Sequence, residues 1–228
     1  LGGNMRLAAY PPGKGDITNM IRSYIHRCQK DGVKIVMNCE VTPELIKEEK
    51  PDSVIIATGS KTLILPIEGI DNPAIIHGSD LLDGKRAAGK KVLVVGGGMV
   101  GCETAAFLGE QEHDVTVIEF RDTVGADVIH EHRVYLMKDF EDYGIKEITG
   151  AKVCKFYEDG VEYETADGVR HESRGYDSVI LSMGFRNYNP LEEKIKDLVP
   201  ETHVIGDAIR ARRALDATKE AYEVASRI

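Results

Sequence analysis

Residues 91–119 read KVLVVGGGMVGCETAAFLGEQEHDVTVIE, and the order of residue types in that stretch decides how the rest of the chain is organised. Lys91 to Val95 is a β-branched run of the kind that fills a strand buried on both faces. Gly96-Gly97-Gly98-Met99-Val100-Gly101 follows at once, then a helical stretch from Cys102 to Gln111, then a second strand from Val115 to Glu119. Strand, glycine turn, helix and strand in that order give G-x-G-x-x-G its meaning as a dinucleotide-binding βαβ unit. Gly96 permits the sharp turn out of the strand. Gly98 lets the backbone approach a diphosphate with no Cβ in the way, and Gly101 lets the helix pack closely on the strand. The exposed N–H groups and positive dipole end of the helix then suit the diphosphate.

Glu119 ends the second strand, where an acidic residue accepts hydrogen bonds from the adenosine ribose hydroxyls. A carboxylate there repels a 2′-phosphate, which favours NADH over NADPH. Arg121, two positions on, softens that preference. The sharper rival is an FAD-binding version of the same fingerprint, and the flanking chain has to separate the two.

Working outward, the pattern alternates helix and strand. Asp16 to Lys30 has apolar residues at helical spacing, with Asp16 as a plausible N-cap and Asp31-Gly32 as the stop. Val33 to Met37 is an apolar run suited to a buried strand, Thr42-Pro43 opens a short helix ending before Pro51, and Ser53 to Ala57 is another buried-strand run. Lys61 to Gly89 reads mostly as connecting chain with a short helix near Ser79 to Leu82, and no helix or strand is recognisable in the opening residues. After Glu119 come a helix from His130 to Tyr143 and a strand from Ile145 to Gly150. Lys152 to Tyr157, Gly160 to Thr165 and Gly168 to His171 then form a meander, turned at Asp159-Gly160 and Asp167-Gly168. Ser178 to Ser182 is a final buried strand of the same sheet. Thr202 to Ile205 is a short strand ending in Gly206-Asp207, and a helix runs from Ala214.

Composition bounds the function. With 228 residues, 42% hydrophobic and 29% charged, the chain can bury one large or two small cores. A net charge of −9 argues against nucleic acid or an anionic membrane as partner. There is no apolar stretch of membrane-spanning length and no signal-peptide pattern. Cys28, Cys39, Cys102 and Cys154 stand far apart with no C-x-x-C, and their expected role is packing in a reducing cytoplasm. The seven histidines fall into no triad or metal spacing, so neither a catalytic acid, base or nucleophile nor a metal site is expected. The start at Leu1-Gly2-Gly3, without methionine, points to a piece of a longer protein.

The run VLVVGGGMVGCETA, the strand-end pairs Ala57-Thr58-Gly59 and Ser182-Met183-Gly184, and the late THVIGD resemble the flavoprotein reductases with two dinucleotide-binding domains. The opening Leu1-Gly2-Gly3-Asn4, the Pro12-Gly13-Lys14 step and the closing Arg212-Arg213-Ala214-Leu215-Asp216-Ala217 narrow the likeness. Together they resemble the C-terminal FAD/NAD(P)H-binding portion of bacterial NADH:flavin oxidoreductases of the 2,4-dienoyl-CoA reductase, 2-enoate reductase and trimethylamine dehydrogenase family. The likeness spans essentially the whole chain.

That resemblance implies an α/β fold: a Rossmann-like NAD(P)-binding domain at 85–185, with its three-stranded meander, inserted into an incomplete FAD-binding domain at 1–84 and 186–228 that lacks its N-terminal βαβ unit. It implies that Gly96, Gly97, Gly98, Met99, Val100 and Gly101 bind the NADH diphosphate, that Glu119 holds the ribose, and that Glu103, Met183 and Gly184 line the nicotinamide side. Gly2, Gly3 and Asn4 resemble a loop touching FAD, with Thr58 and Gly59 near its phosphates and Gly206-Asp207 on its ribityl or diphosphate portion. Arg213 and Ala214 would present a helix N-terminus to the flavin ring. The clustered Arg210, Arg212 and Arg213 read equally well as a solvated face or an ion-pair interface. FMN, a 4Fe–4S cluster and the substrate residues would lie on an N-terminal barrel outside these residues, with possible self-association of the whole. The expected function is transfer of a hydride from NADH to FAD, with this piece alone inactive and binding FAD weakly. Two alternatives stand beside it: a structural module holding ADP or NADH without hydride transfer, and, less well supported, a thioredoxin-reductase-like enzyme, against which the missing C-x-x-C counts.

Overall fold

The β-branched run at 91–95 becomes the middle strand of a five-stranded parallel sheet in the computed structural model, which describes all 228 residues. From the N-terminus the chain forms α1 (Asn4–Leu7), α2 (Asp16–Lys30), α3 (Pro43–Glu49), β1 (Ser53–Ile56) and β2 (Ser60–Thr62). It continues through β3 (Ile76–His77), α4 (Gly78–Leu82), β4 (Lys91–Val95), α5 (Met99–Glu110), β5 (Asp114–Ile118), α6 (His130–Asp142) and β6 (Lys146–Ile148). β7 (Lys152–Tyr157), β8 (Gly160–Glu164), β9 (Arg170–Ser173) and β10 (Ser178–Leu181) follow, then β11 (Phe185–Asn187), α7 (Glu192–Ile195), β12 (Glu201–Val204) and α8 (Ala214–Ala225). Packing divides the chain into two units, residues 1–22 with 62–184 and residues 23–61 with 185–228.

In the larger unit the strand order is β3-β10-β4-β5-β6, all parallel. Strand side chains alternate between faces, and the core divides accordingly. Val92, Val94, Val115, Val117 and Ile180 pack against Cys102, Ala105 and Leu108 of α5 and Leu136 and Phe140 of α6. Leu93, Val95, Ile118, Val179 and Leu181 pack on the opposite face against Val153, Phe156 and Val161 of the meander. The sheet is therefore covered by helices on one side and by the antiparallel β7-β8-β9 on the other. Continuous apolar runs were needed for β4 and β10 because both of their faces are dry. Residues 62–84 pack with this unit: β3 adds the edge strand beside β10, and Ile67, Ile70 and Ile75 join the meander-side core.

In the smaller unit β1 pairs in parallel with β12, and β11 pairs with β2. Thr42 caps α3, its Oγ1 accepting from the Leu45 N–H at 3.3 Å, and Pro43 occupies the first turn where its missing N–H costs nothing. Ile46, Ile56, Leu191, Ile195 and Val199 make a small core. Neither α2 nor α8 buries a residue.

Three local expectations are corrected. Val33 to Met37 forms no strand, and Val33, Val36 and Met37 are more than half exposed. An apolar run becomes a strand only when another strand satisfies its backbone, and none pairs with this one. The opening residues do fold, into the single turn α1, closed by the Met5 and Arg6 N–H groups on the carbonyls of Gly2 and Gly3. Asp16 is the first residue of α2 rather than its cap, and its Oδ1 accepts from Asn19 Nδ2. No helix is long and apolar enough to cross a membrane.

Candidate functional site

The glycine turn sits at the C-terminal ends of β4, β5 and β10. Gly96 leaves β4 at φ +106°, and a Cβ there would come within 2.5 Å of the Ser182 carbonyl oxygen and 3.1 Å of the Met183 Cα. A Cβ at Gly101 would lie 1.8 Å from the Gly96 carbonyl oxygen, so the first turn of α5 rests directly on the turn that precedes it. At Gly98 the atoms nearest to an added Cβ are those of the Asp127 carboxylate. Met99 and Val100 fill the first turn of α5, and Gly98 precedes it in an extended conformation. Gly96, Gly97, Gly98, Met99, Val100, Gly101, Glu119 and Met183 are thus brought together, with Gly184 at φ +101° beyond Met183.

Glu119 is fixed by the backbone. Its Oε2 accepts from the Gly97 N–H at 2.6 Å and its Oε1 from the Arg121 N–H at 3.0 Å, so backbone amides orient both oxygens. Phe120, Arg121 and Asp122 then run along an open hollow that also takes in Gly150, Lys152 and Glu164. The loop after them returns to the glycine turn: the Gly125 N–H donates to the Gly97 carbonyl at 2.7 Å, and Asp127 Oδ1 accepts from the Met99 N–H at 2.9 Å.

Deeper in α5, Glu103 is only 6% exposed, and burial of a lone carboxylate is costly. Lys14 Nζ forms an ion pair with its Oε1, and His132 Nε2 of α6 lies 3.6 Å from the same oxygen. Cys102 beside it is fully buried, and burial pushes its thiol up to about 12, so it stays protonated and donates to the Gly97 carbonyl. Gly2, Gly3 and Asn4 lie at the start of α1, where a Cβ on Gly2 would press on Arg6 and Ile21.

The remaining sequence-selected residues form a second group, in the smaller unit. Thr58 Oγ1 donates to the Tyr188 carbonyl, and Gly59, at φ +75°, accepts from the Tyr188 N–H. Asp207 is held from both sides: Ser60 Oγ donates to Oδ2 at 3.0 Å and the Arg212 N–H to Oδ1 at 3.1 Å. The Gly206 N–H donates to Glu220 Oε2 at 2.7 Å, and Arg212 pairs with Glu220. Arg213 caps α8, its N–H donating to Asp216 Oδ2 at 3.2 Å, and Ala214 opens the helix. Of the arginine cluster, Arg212 is thus an ion-pair residue within its own unit.

A family model described as pyridine nucleotide-disulphide oxidoreductase matches residues 13–199, most of the chain. The chain belongs to the pyridine nucleotide-disulphide oxidoreductase family. It has the FAD/NAD(P)-binding Rossmann-like fold of that family, in agreement with the resemblance read from the motifs. NADH oxidase of Thermoanaerobacter brockii is 32% identical across all of this pyridine nucleotide-disulphide oxidoreductase chain and 36% of its own length. Cinnamate reductase of Clostridium sporogenes is 30% identical across all of this chain and 34% of its own. A solved structure of 2-naphthoyl-CoA reductase with 2-naphthoyl-CoA matches at a TM-score of 0.93 and 31% identity, over all of this chain and 34% of that one. The chain therefore spans about a third of the length of these relatives.

Four residues at the two groups escaped the sequence reading: Ser60 and Glu220 on the Gly206-Asp207 turn, His132 beside Glu103, and Asp127 on the Met99 amide. Each meets its partner through tertiary packing, and no local spacing signals it. Lys14 was noticed only as part of the Pro12-Gly13-Lys14 step, without its pairing to Glu103.

Proposed function

We propose that residues 85–185 hold NADH and that residues 1–84 with 186–228 contribute to holding FAD, in the electron-input section of a longer NADH-dependent flavin oxidoreductase. The residues fit a dinucleotide: the glycine turn has no room for side chains at Gly96 and Gly101, and it brings the amides at the start of α5 to the end of the sheet. When bound, NADH supplies a hydride and FAD accepts it. The chain's own part is positioning. The α5 amides bind the diphosphate, Glu119 orients the adenosine ribose, Met183-Gly184 walls the nicotinamide side, and the paired Glu103 and Lys14 carry the polar groups beneath it. In the smaller unit Thr58, Gly59, Asp207 and the start of α8 at Arg213 and Ala214 are the flavin contacts, and Gly2, Gly3 and Asn4 are assigned to FAD by the family resemblance alone. An N-terminal barrel of the same polypeptide, with FMN and a 4Fe–4S cluster, is implied by the family resemblance alone. An activated C=C bond as the final acceptor draws support from the names of cinnamate reductase and 2-naphthoyl-CoA reductase. On this reading the chain by itself is inactive, and it works in the cytoplasm.

The single observation that carries the nucleotide reading is the Glu119 carboxylate held by the Gly97 and Arg121 amides. A fixed anion beside the diphosphate loop accepts two ribose hydroxyls and repels a 2′-phosphate. The test is calorimetric titration of the chain with NADH and NADPH, beside Glu119→Ala. NADH should bind more tightly than NADPH. The variant should lose at least roughly 10- to 100-fold in NADH affinity, the worth of one of those hydrogen bonds to a charged group. A folded chain that binds neither nucleotide would overturn the proposal.

A further inference from the structure

Asp127 belongs to the loop between β5 and α6, yet its carboxylate stands at the start of α5. Oδ1 accepts from the Met99 N–H at 2.9 Å, and the two oxygens lie 3.2 and 3.4 Å from where a Cβ on Gly98 would be. The loop is held in that position from two sides. The Gly125 N–H donates to the Gly97 carbonyl at 2.7 Å, and the Arg133 guanidinium holds the Val124 carbonyl and Thr123 Oγ1. With Glu119 on the Gly97 amide, two carboxylates of the chain already stand on two amides of the glycine turn. Only Glu119 has a place in the ribose contact.

An amide that donates to Asp127 is unavailable to a phosphate oxygen, and a carboxylate within about 4 Å of a diphosphate repels it. We propose that Asp127 is an intramolecular competitor for the diphosphate: it occupies the Met99 amide in the ligand-free chain and leaves it when a dinucleotide binds. The inference rests on the reading of residues 96–101 as the nucleotide loop. It makes Asp127 a determinant of affinity and selectivity. ADP and pyrophosphate carry more negative charge on their phosphates than the bridging diphosphate of a dinucleotide, so Asp127 repels them more strongly.

The test uses the full chain, with NADH, ADP and inorganic pyrophosphate as probes, titrated calorimetrically at low and at high salt. Asp127→Asn keeps an oxygen to accept from Met99 while removing the charge, so it preserves the fold. Asp127→Ala removes both, and thermal unfolding followed by circular dichroism reports whether each variant is intact. The expected result is that Asp127→Asn binds NADH about 10-fold more tightly than wild type at low salt, with a larger gain for ADP and pyrophosphate and a smaller one at high salt. Nucleotide binding that becomes detectable only in the variant supports the same conclusion. Equal or weaker binding by a folded Asp127→Asn, while wild type binds NADH and Glu119→Ala binds it more weakly, overturns the competitor role and leaves the nucleotide site standing. Absence of binding by wild type and both Asp127 variants, all folded, overturns the site and the competitor together.

Discussion

Gly101→Ala puts a methyl group where there is no space for one. The new Cβ would lie 1.8 Å from the Gly96 carbonyl oxygen and 2.8 Å from its carbon, whereas ordinary contact begins near 3.4 Å. Either α5 or the turn must retreat by roughly 1.6 Å, and both are backbone, with no side chain to swing aside. The turn is anchored as well, since the Gly96 N–H donates to the Ile118 carbonyl at 2.9 Å. Overpacking of a dense interior costs about 1–3 kcal/mol, and a backbone clash belongs at the upper end. For a unit of this size, about 3 kcal/mol corresponds to a fall in Tm of roughly 6–12 °C. The same retreat carries the α5 amides away from a bound diphosphate. An N–H···O bond of about 2.9 Å stretched by more than about 1 Å is lost, so NADH affinity should fall roughly 10- to 100-fold for one charge-assisted bond. Thermal unfolding by circular dichroism measures the first effect and calorimetric titration the second. Gly15→Ala is the control, because nothing lies within 4 Å of its Cβ and its φ is not positive. If the Gly101 and Gly15 variants melt together and bind NADH alike, the close-packing argument for this turn is wrong.

Thiol chemistry gives an independent check on the core. Cys28 and Cys39 are exposed, so a disulfide reagent at pH 8 should label both promptly. Cys102, buried and with its thiol pushed up to about 12, should react only on unfolding, and rapid labelling of Cys102 in the native chain would contradict its packing. In the smaller unit the Glu220 carboxyl is held below its usual 4.5 by its hydrogen bond to Arg212 first and by the Gly206 N–H second. A lowered folded-state pKa stabilises the fold above the unfolded value, and that contribution is lost as pH falls through the folded one. Glu220→Gln should therefore lower stability at pH 7 and narrow its gap from wild type as pH falls below 4.5. A gap that stays constant over that range would refute the linkage.

The βαβ unit was legible because its signals are local. Glycines at fixed spacing, a β-branched run before them and an acid after the second strand all lie within residues 91–119, and β4, α5 and β5 follow that reading closely. The meander was legible for the same reason, since Asp159-Gly160 marks its first turn; a Cβ at Gly160 would meet the Ser173 carbonyl at 2.0 Å. What failed depended on distant partners. Val33 to Met37 reads as apolar, but hydrophobicity states only a preference for burial and does not supply a neighbouring strand. The pairing of β2 with β11 joins segments more than 120 residues apart, and β3 has two residues, too short for any period to register. Glu119 could be read from its place at the end of the expected strand, although β5 itself stops at Ile118. Asp127 could not, because its partner amide lies 28 residues away and is reached only when Gly125 turns the loop back.

The strand order also sets a timetable. β4 receives β5 on one side after a short helix, but its other neighbour is β10, so residues 96–177 must be made before that edge is paired. At synthesis rates of about 5–20 residues per second, the central strand of the sheet waits roughly 4–16 s with one side bare. The glycine turn waits with it, because Gly96 is braced by the Ser182 carbonyl and Met183 just beyond β10. A ribosome-bound chain that ends before residue 182 thus has the whole G-x-G-x-x-G motif but lacks the wall on which it rests, and in that interval the open edge is the part of the molecule most exposed to association with a neighbouring nascent chain.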